Sequence, residues 1–185
     1  MINYLATQKN WQNAFSDTIT SFAELAQALD LPIHSFDSQV GEFPLKVPRR
    51  FVQKMVKGDI HDPLLKQVLP TFLETVQVTG FVTDPLDEQH ANPVKGIIHK
   101  YASRVLIPVT GACVVNCRYC FRQHFDYHEN LPTQNDWQAI SAYITAHPAV
   151  NEVILSGGDP LSQSNRRLLD DFTTLEALPQ VQTIR

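Results

Sequence analysis

No stretch of these 185 residues reaches the roughly 18 consecutive apolar positions that a membrane-spanning helix needs, so no membrane partner is expected. The amino terminus, Met1-Ile-Asn-Tyr-Leu-Ala-Thr-Gln-Lys-Asn10, lacks the apolar core of a signal peptide. The cytoplasm, which keeps thiols reduced, is therefore the expected location. An excess of positive charge is missing too. Fifteen Lys and Arg stand against nineteen Asp and Glu, for a net charge of −4. Arg49-Arg50 and Arg166-Arg167 are only short basic pairs, whereas a nucleic-acid binder needs a basic face for its phosphate contacts. Nucleic acid is not expected as a partner. Cysteine is scarce as well, with three in the chain. An odd count without a secretory signal argues against a disulfide framework. The remaining composition, 43% apolar and 18% charged, is that of an ordinary globular domain.

All three cysteines fall within eight residues, Cys113-Val-Val-Asn-Cys117-Arg-Tyr-Cys120, a C-x3-C-x2-C pattern. Before them runs a strand-like apolar segment, Arg104-Val-Leu-Ile-Pro-Val109, ending in Thr110-Gly111-Ala112. That order places the thiols on a loop at the carboxyl end of a strand, where α/β folds gather their ligand sites. Three soft sulfur ligands can hold three irons of a [4Fe-4S] cluster and leave the fourth open. Structural zinc is the alternative, with His124 or His128 completing a Cys3His set, and incidental buried cysteines are a third reading.

Along the chain, apolar residues at Trp11, Ala14, Phe15, Ile19, Phe22, Leu25, Ala26 and Leu29 approach helical spacing and predict one or two amphipathic helices. Pro32, Pro44 and Pro48 break the segment from Asp30 to Pro48 into irregular structure. A short helix is expected from Arg49 until Gly58 stops it, and another from Asp62-Pro63 through Leu69. Asp84 to His90 reads as an acidic loop or helix start whose carboxylates cap a helix or face water rather than bind metal. Gly96 to Arg104 leads into the first strand. A helix through Trp137, Ile140, Tyr143 and Ile144 comes after the cysteine loop, capped by Thr133 or Asn135 and closed by His147-Pro148. Next come a strand Glu152–Ser156, a helix from about Asn165 to Leu175, and a third strand from about Val181. The order strand, helix, strand, helix, strand predicts the opening of a parallel (β/α) barrel with right-handed crossovers. Three parallel strands alone leave an unpaired edge, so the chain is expected to be an amino-terminal portion of a longer protein.

With Tyr119 just before the last cysteine, the cysteine motif resembles that of the radical S-adenosylmethionine (SAM) superfamily. A wider set of segments is similar to the lysine 2,3-aminomutase family: Val47-Pro-Arg-Arg-Phe51, Asp62-Pro-Leu-Leu65, Thr83 to His90, Tyr101 to Arg104, Asn116 to Arg122, and Ser156-Gly-Gly-Asp-Pro-Leu161. The resemblance lies closest to the bacterial branch that supplies (R)-β-lysine for modification of elongation factor P. It implies an α/β fold: the start of a partial TIM-like (β/α) barrel over residues 96–185, preceded by a mostly helical extension over 1–95. It implies three cofactors: a [4Fe-4S] cluster on Cys113, Cys117 and Cys120, SAM, and pyridoxal 5′-phosphate (PLP). It places Tyr119 near the SAM adenine and Ser156, Gly157, Gly158 and Asp159 on the SAM amino group. The two glycines would let backbone approach a ligand, and Asp159 would accept from an ammonium. Tyr101 and Arg104 align with PLP contacts, with Lys100 a weaker candidate, while the PLP lysine would lie beyond Arg185. Arg122 aligns with the arginine that binds the α-carboxylate of substrate L-lysine, for which a planar guanidinium is well suited. Expected partners are the lysine substrate, an electron donor such as flavodoxin or ferredoxin, and a second copy of the chain in a homo-oligomer. Another amino acid as substrate stays open, because the side-chain contacts lie downstream.

Overall fold

The computed structural model describes residues 16–36 and 43–185. The expected helical positions Trp11, Ala14 and Phe15 lie outside the described residues. The chain divides into two compact units. One comprises Met1–Phe81 with Val114–Gln123, the other Val82–Cys113 with His124–Arg185.

In the first unit, strand β1 (Thr18–Ile19) pairs antiparallel with β2 (Val47–Pro48), so the expected helix is interrupted where β-branched Thr18 and Ile19 sit side by side. Helix α1 (Phe22–Ala28) buries Leu25 and Ala26, and α2 (Arg49–Val52) is a single turn. Ile19, Leu25, Leu29, Val47, Val52, Leu65 and Val68 form the unit's apolar core. Beyond α2 the described part of residues 1–95 is mainly turns and 3₁₀ segments rather than helix. Prolines at 63, 70, 85 and 93 remove N–H donors too often for a longer helix to propagate. The helix expected from Asp62 is only a 3₁₀ turn, Leu65–Gln67.

Asp62 organises that turn. Its side chain is buried, and its carboxylate accepts hydrogen bonds from the N–H groups of Val56 (2.9 Å), Leu64 (2.8 Å) and Leu65 (2.9 Å). The bond from Val56, then those from Leu65 and Leu64, hold its pKa below the ordinary carboxylate value against the opposing effect of burial. A depressed carboxylate pKa stabilises the fold above the unfolded-state value of about 3.9, and that contribution disappears as pH falls through the folded-state value. Asp62→Asn in the full-length protein should therefore lower the melting temperature at neutral pH, and the gap to wild type should narrow on acidification below about pH 4. Equal melting temperatures at pH 7 would refute this.

The second unit carries a four-stranded sheet in the order β3-β4-β5-β6. Strands β4 (Arg104–Thr110), β5 (Glu152–Gly157) and β6 (Thr183–Ile184) are parallel, as the sequence leads one to expect. Strand β3 (Ile98–Tyr101) is an addition: the segment expected only to lead into the first strand instead pairs antiparallel with β4 across a tight Ala102-Ser103 turn. An antiparallel edge strand on a parallel sheet is common, and its polar residues His99 and Lys100 hid it from a search for apolar runs.

Helix α3 (Tyr127–Asn130) is one turn, capped by the Asp126 carboxylate accepting from Glu129 N–H at 3.1 Å. Helix α4 (Asp136–Ala146) buries Trp137, Ile140 and Ile144 on one face, and Pro148 cannot extend it. Its start is held by the Asp136 carboxylate, which accepts from both the backbone N–H and the hydroxyl of Thr133 at 2.7 Å. Helix α5 (Asn165–Glu176) begins at Ser164, whose hydroxyl oxygen accepts from Arg167 N–H. Both helices cover the sheet face that presents Val105, Ile107, Val109, Val153 and Leu155, making one core with Ile140, Ile144 and Leu175. Leu106 and Ile154, which alternate with those residues, are only half-buried. The Asp84 carboxylate accepts from the N–H groups of Glu88 and Gln89 at 3.1 Å each, just before the 3₁₀ turn Gln89–Ala91. Among the described residues no helix is long and apolar enough to cross a membrane.

Candidate active site

The carboxyl ends of β4 and β5 are tied together where the two key motifs begin. Thr110 sits opposite Gly157 in the ladder, after a shift in register at Pro108, which has no N–H to offer. Past that point Gly158 N–H donates to Thr110 C=O at 2.6 Å, and Asp159 N–H donates to Ala112 C=O at 2.9 Å. The Ser162 hydroxyl adds a bond to the same Ala112 carbonyl at 3.3 Å. Cys113 follows Ala112 directly, so the first cysteine emerges from a backbone anchored on the Gly-Gly-Asp turn.

These bonds give the glycines a role that the sequence alone did not assign. A Cβ on Gly157 would lie 2.2 Å from the Thr110 carbonyl oxygen, and one on Gly158 would lie 2.3 Å from that of Ala112. Gly157 also has φ of +112°, a conformation that L side chains rarely adopt. The N–H groups of Gly158 and Asp159 are spent on β4 and the loop after it. The Asp159 carboxylate accepts from Leu161 N–H at 3.0 Å as the cap of a 3₁₀ turn. Ser156 lies opposite Pro108 in the ladder.

The cysteines are half-buried and form no disulfide. A turn closes the C-x2-C half, with Cys120 N–H donating to Cys117 C=O at 3.1 Å. Its two intervening residues diverge. Tyr119 is 71% exposed, and its hydroxyl hydrogen-bonds Cys117, which with the sulfur's negative charge as thiolate pushes the phenol pKa upward. The Arg118 side chain is only 8% exposed and pairs with Glu74. Among the described residues no group of three or more His, Cys, Asp or Glu side chains is placed to hold a metal ion. The donor chemistry fits an iron–sulfur cluster: three thiols, soft ligands, and a spacing that leaves one iron for another partner.

Arg122 is buried, 6% exposed, with its guanidinium carbon 4.8 Å from the centre of the Phe121 ring. Tyr101 and Arg104 lie at the opposite end of β4 from the cysteine loop, about 20 Å along the strand at its usual rise. Arg104 there stands 3.3 Å from Glu152, which Arg185 also contacts at 2.8 Å, and the Arg104 guanidinium carbon is 6.0 Å from the Tyr101 ring centre. Lys100 donates to the carbonyl of Leu86. Sequence reasoning overlooked Glu74, Asn116, Arg118 and Glu152. A charged residue between two closely spaced cysteines was a usable signal for Arg118; its partner, 44 positions away, left none.

The comparisons with known proteins bear on this site. A family model described as a 4Fe-4S single cluster domain matches residues 102–175. The L-lysine 2,3-aminomutase of Haemophilus influenzae is 43% identical over 181 residues, covering 96% of this chain and 54% of that protein. That of Escherichia coli (strain K12) is 43% identical over 183 residues, covering 97% of this chain and 53% of that protein. The chain belongs to the L-lysine 2,3-aminomutase family. A more distant member of the family, the L-lysine 2,3-aminomutase of Clostridium subterminale, is 37% identical over 130 residues, which are 69% of this chain and 31% of that protein. The chain spans about half the length of the curated relatives it matches. Family membership and the cluster-domain match together support an iron–sulfur cluster, SAM and PLP as cofactors.

Proposed function

We propose that the protein containing this chain is a radical SAM isomerase that converts L-lysine to (R)-β-lysine. The observation that carries this reading is the 43% identity to L-lysine 2,3-aminomutases across nearly the whole chain. The amino group moves from one carbon to its neighbour and a hydrogen moves the other way, so no net oxidant is consumed. When bound, the reduced cluster with SAM supplies a carbon radical that takes up a hydrogen atom, and PLP carries the migrating nitrogen. The chain's own residues do the rest. Cys113, Cys117 and Cys120 would hold the cluster through their thiolates, which are soft ligands suited to iron. Ser156, Gly157, Gly158 and Asp159 would border the SAM amino group, and the exposed Tyr119 ring would border its adenine. Tyr101 and Arg104 serve the PLP phosphate, Arg104 as a charge-assisted donor.

Arg122 receives the α-carboxylate of lysine. Its burial supports that role, since a guanidinium withdrawn from water gains more from a bidentate carboxylate than an exposed one. We further assign residues 96–185 to the start of a (β/α) barrel, because β4, β5 and β6 follow one another in parallel through α4 and α5. Residues 1–95 form the extension before it. The reading includes an electron donor of flavodoxin or ferredoxin type, assembly into a homo-oligomer, a cytoplasmic setting, and supply of the product for elongation factor P modification.

The test uses the full-length enzyme, reconstituted without oxygen and supplied with SAM, PLP and L-lysine. About four irons per chain and formation of β-lysine are expected, while a colourless protein with stoichiometric zinc would overturn the reading. Arg122→Ala should raise the KM for lysine about tenfold or more while iron content stays at the wild-type level. An unchanged KM would remove Arg122 from the site.

A further inference from the structure

Arg118, between the last two cysteines, has a side chain bonded to residues far from it in sequence. Its Nε donates to Glu74 Oε1 at 2.9 Å and a terminal nitrogen bonds Glu74 Oε2, a two-pronged pair with both side chains largely withdrawn from water. Its other terminal nitrogen donates to Phe43 C=O at 3.1 Å, and the guanidinium carbon lies 5.0 Å from the centre of the Phe43 ring. The backbone on either side is fixed as well. Arg118 N–H donates to Gln67 C=O at 2.8 Å, Asn116 N–H to Lys46 C=O at 2.9 Å, and the Asn116 side chain to Pro44 C=O at 3.0 Å. Glu74 is itself held, since its Oε1 accepts from Thr71 N–H at 3.3 Å in a capping box.

From this arrangement we infer that the Arg118–Glu74 pair is a positioning device. It fixes residues 116–120 against segments 43–46, 67 and 71–74, so that Cys117 and Cys120 are set in place before iron arrives. The extension before the barrel then has a task beyond packing: it is the frame for two of the three thiols. The physical case rests on rigidity. A ligand held by one backbone turn alone can swing, whereas an arginine fork bonded in three directions permits one orientation of the backbone that carries it. Supports of this kind behind a metal ligand are typically worth about 10- to 100-fold in metal affinity. Cys113 stands outside the clamped segment and serves as an internal control.

The inference rests on the cluster reading above, and the experiment separates the two. The full-length enzyme is stripped of iron, and the alkylation rate of each cysteine by iodoacetamide is read by peptide mass spectrometry. In Arg118→Met the rates at Cys117 and Cys120 should rise about tenfold, with Cys113 within about twofold of wild type. Arg118→Lys, which keeps the charge and loses the fork, should fall between. Glu74→Gln keeps the shape and carries the same test if Arg118→Met does not fold. After reconstitution these variants should lose iron to a chelator about tenfold faster than wild type. Unchanged rates at all three cysteines, or an equal rise at all three, would overturn the positioning role. Failure of wild type to take up iron would instead overturn the cluster reading, whatever the alkylation pattern.

Discussion

Gly157→Ala is expected to destabilise the full-length protein by on the order of 3–5 kcal/mol, a large share of a typical folding free energy. Two costs add. The added Cβ would meet the Thr110 carbonyl oxygen at 2.2 Å, and that oxygen belongs to backbone pinned in the β4–β5 ladder and cannot move aside. The φ of +112° adds strain whatever the space available. Two companions separate the costs. Gly158→Ala lacks the positive φ but brings Cβ to 2.3 Å from the Ala112 carbonyl oxygen, whereas Gly58→Ala has φ of +75° and nothing within 4 Å. Gly58→Ala should therefore cost only about 1 kcal/mol, and Gly158→Ala should fall well above it. Urea unfolding checks the order, and a Gly157→Ala protein as stable as Gly58→Ala would show that the β4–β5 junction yields.

Serine in place of any one of Cys113, Cys117 and Cys120 is expected to abolish both iron loading and lysine turnover while leaving the apo-protein's stability nearly unchanged. The thiols are half-buried and outside both apolar cores, so removing one sulfur loses little packing, about 0.5 kcal/mol or less. A serine hydroxyl is a poor stand-in because cluster iron prefers soft thiolate. Iron analysis after anaerobic reconstitution, with thermal melts of the apo forms, checks both halves. A serine variant that keeps about four irons and full turnover would mean that another residue ligates the cluster. A variant that loses its fold along with its iron would make that cysteine a packing residue.

Strands β4 and β5 and helices α4 and α5 were legible because their signals are local. Apolar runs, a Pro148 stop and an Asn165 start are read within a dozen residues. Strand β3 was not, since a polar edge strand is defined by the partner beside it. The amino-terminal helix failed where tertiary pairing overrode its periodicity: Thr18 and Ile19 lie against Val47 and Pro48, nearly thirty positions away. The candidate site divides the same way. The cysteine trio, the Gly-Gly-Asp turn and Arg122 could be picked from spacing and resemblance, while Glu74 lies in no motif at all.

Cysteine chemistry, the alternation of strand and helix, and the family are written in the order of the residues, because each depends on side-chain type and short-range spacing. The fold alone settled which carbonyl leaves no room for a Cβ at Gly157, and that a glutamate 44 positions upstream grips Arg118. Such contacts arise where the backbone passes itself again in space, and no periodicity along a chain encodes that meeting.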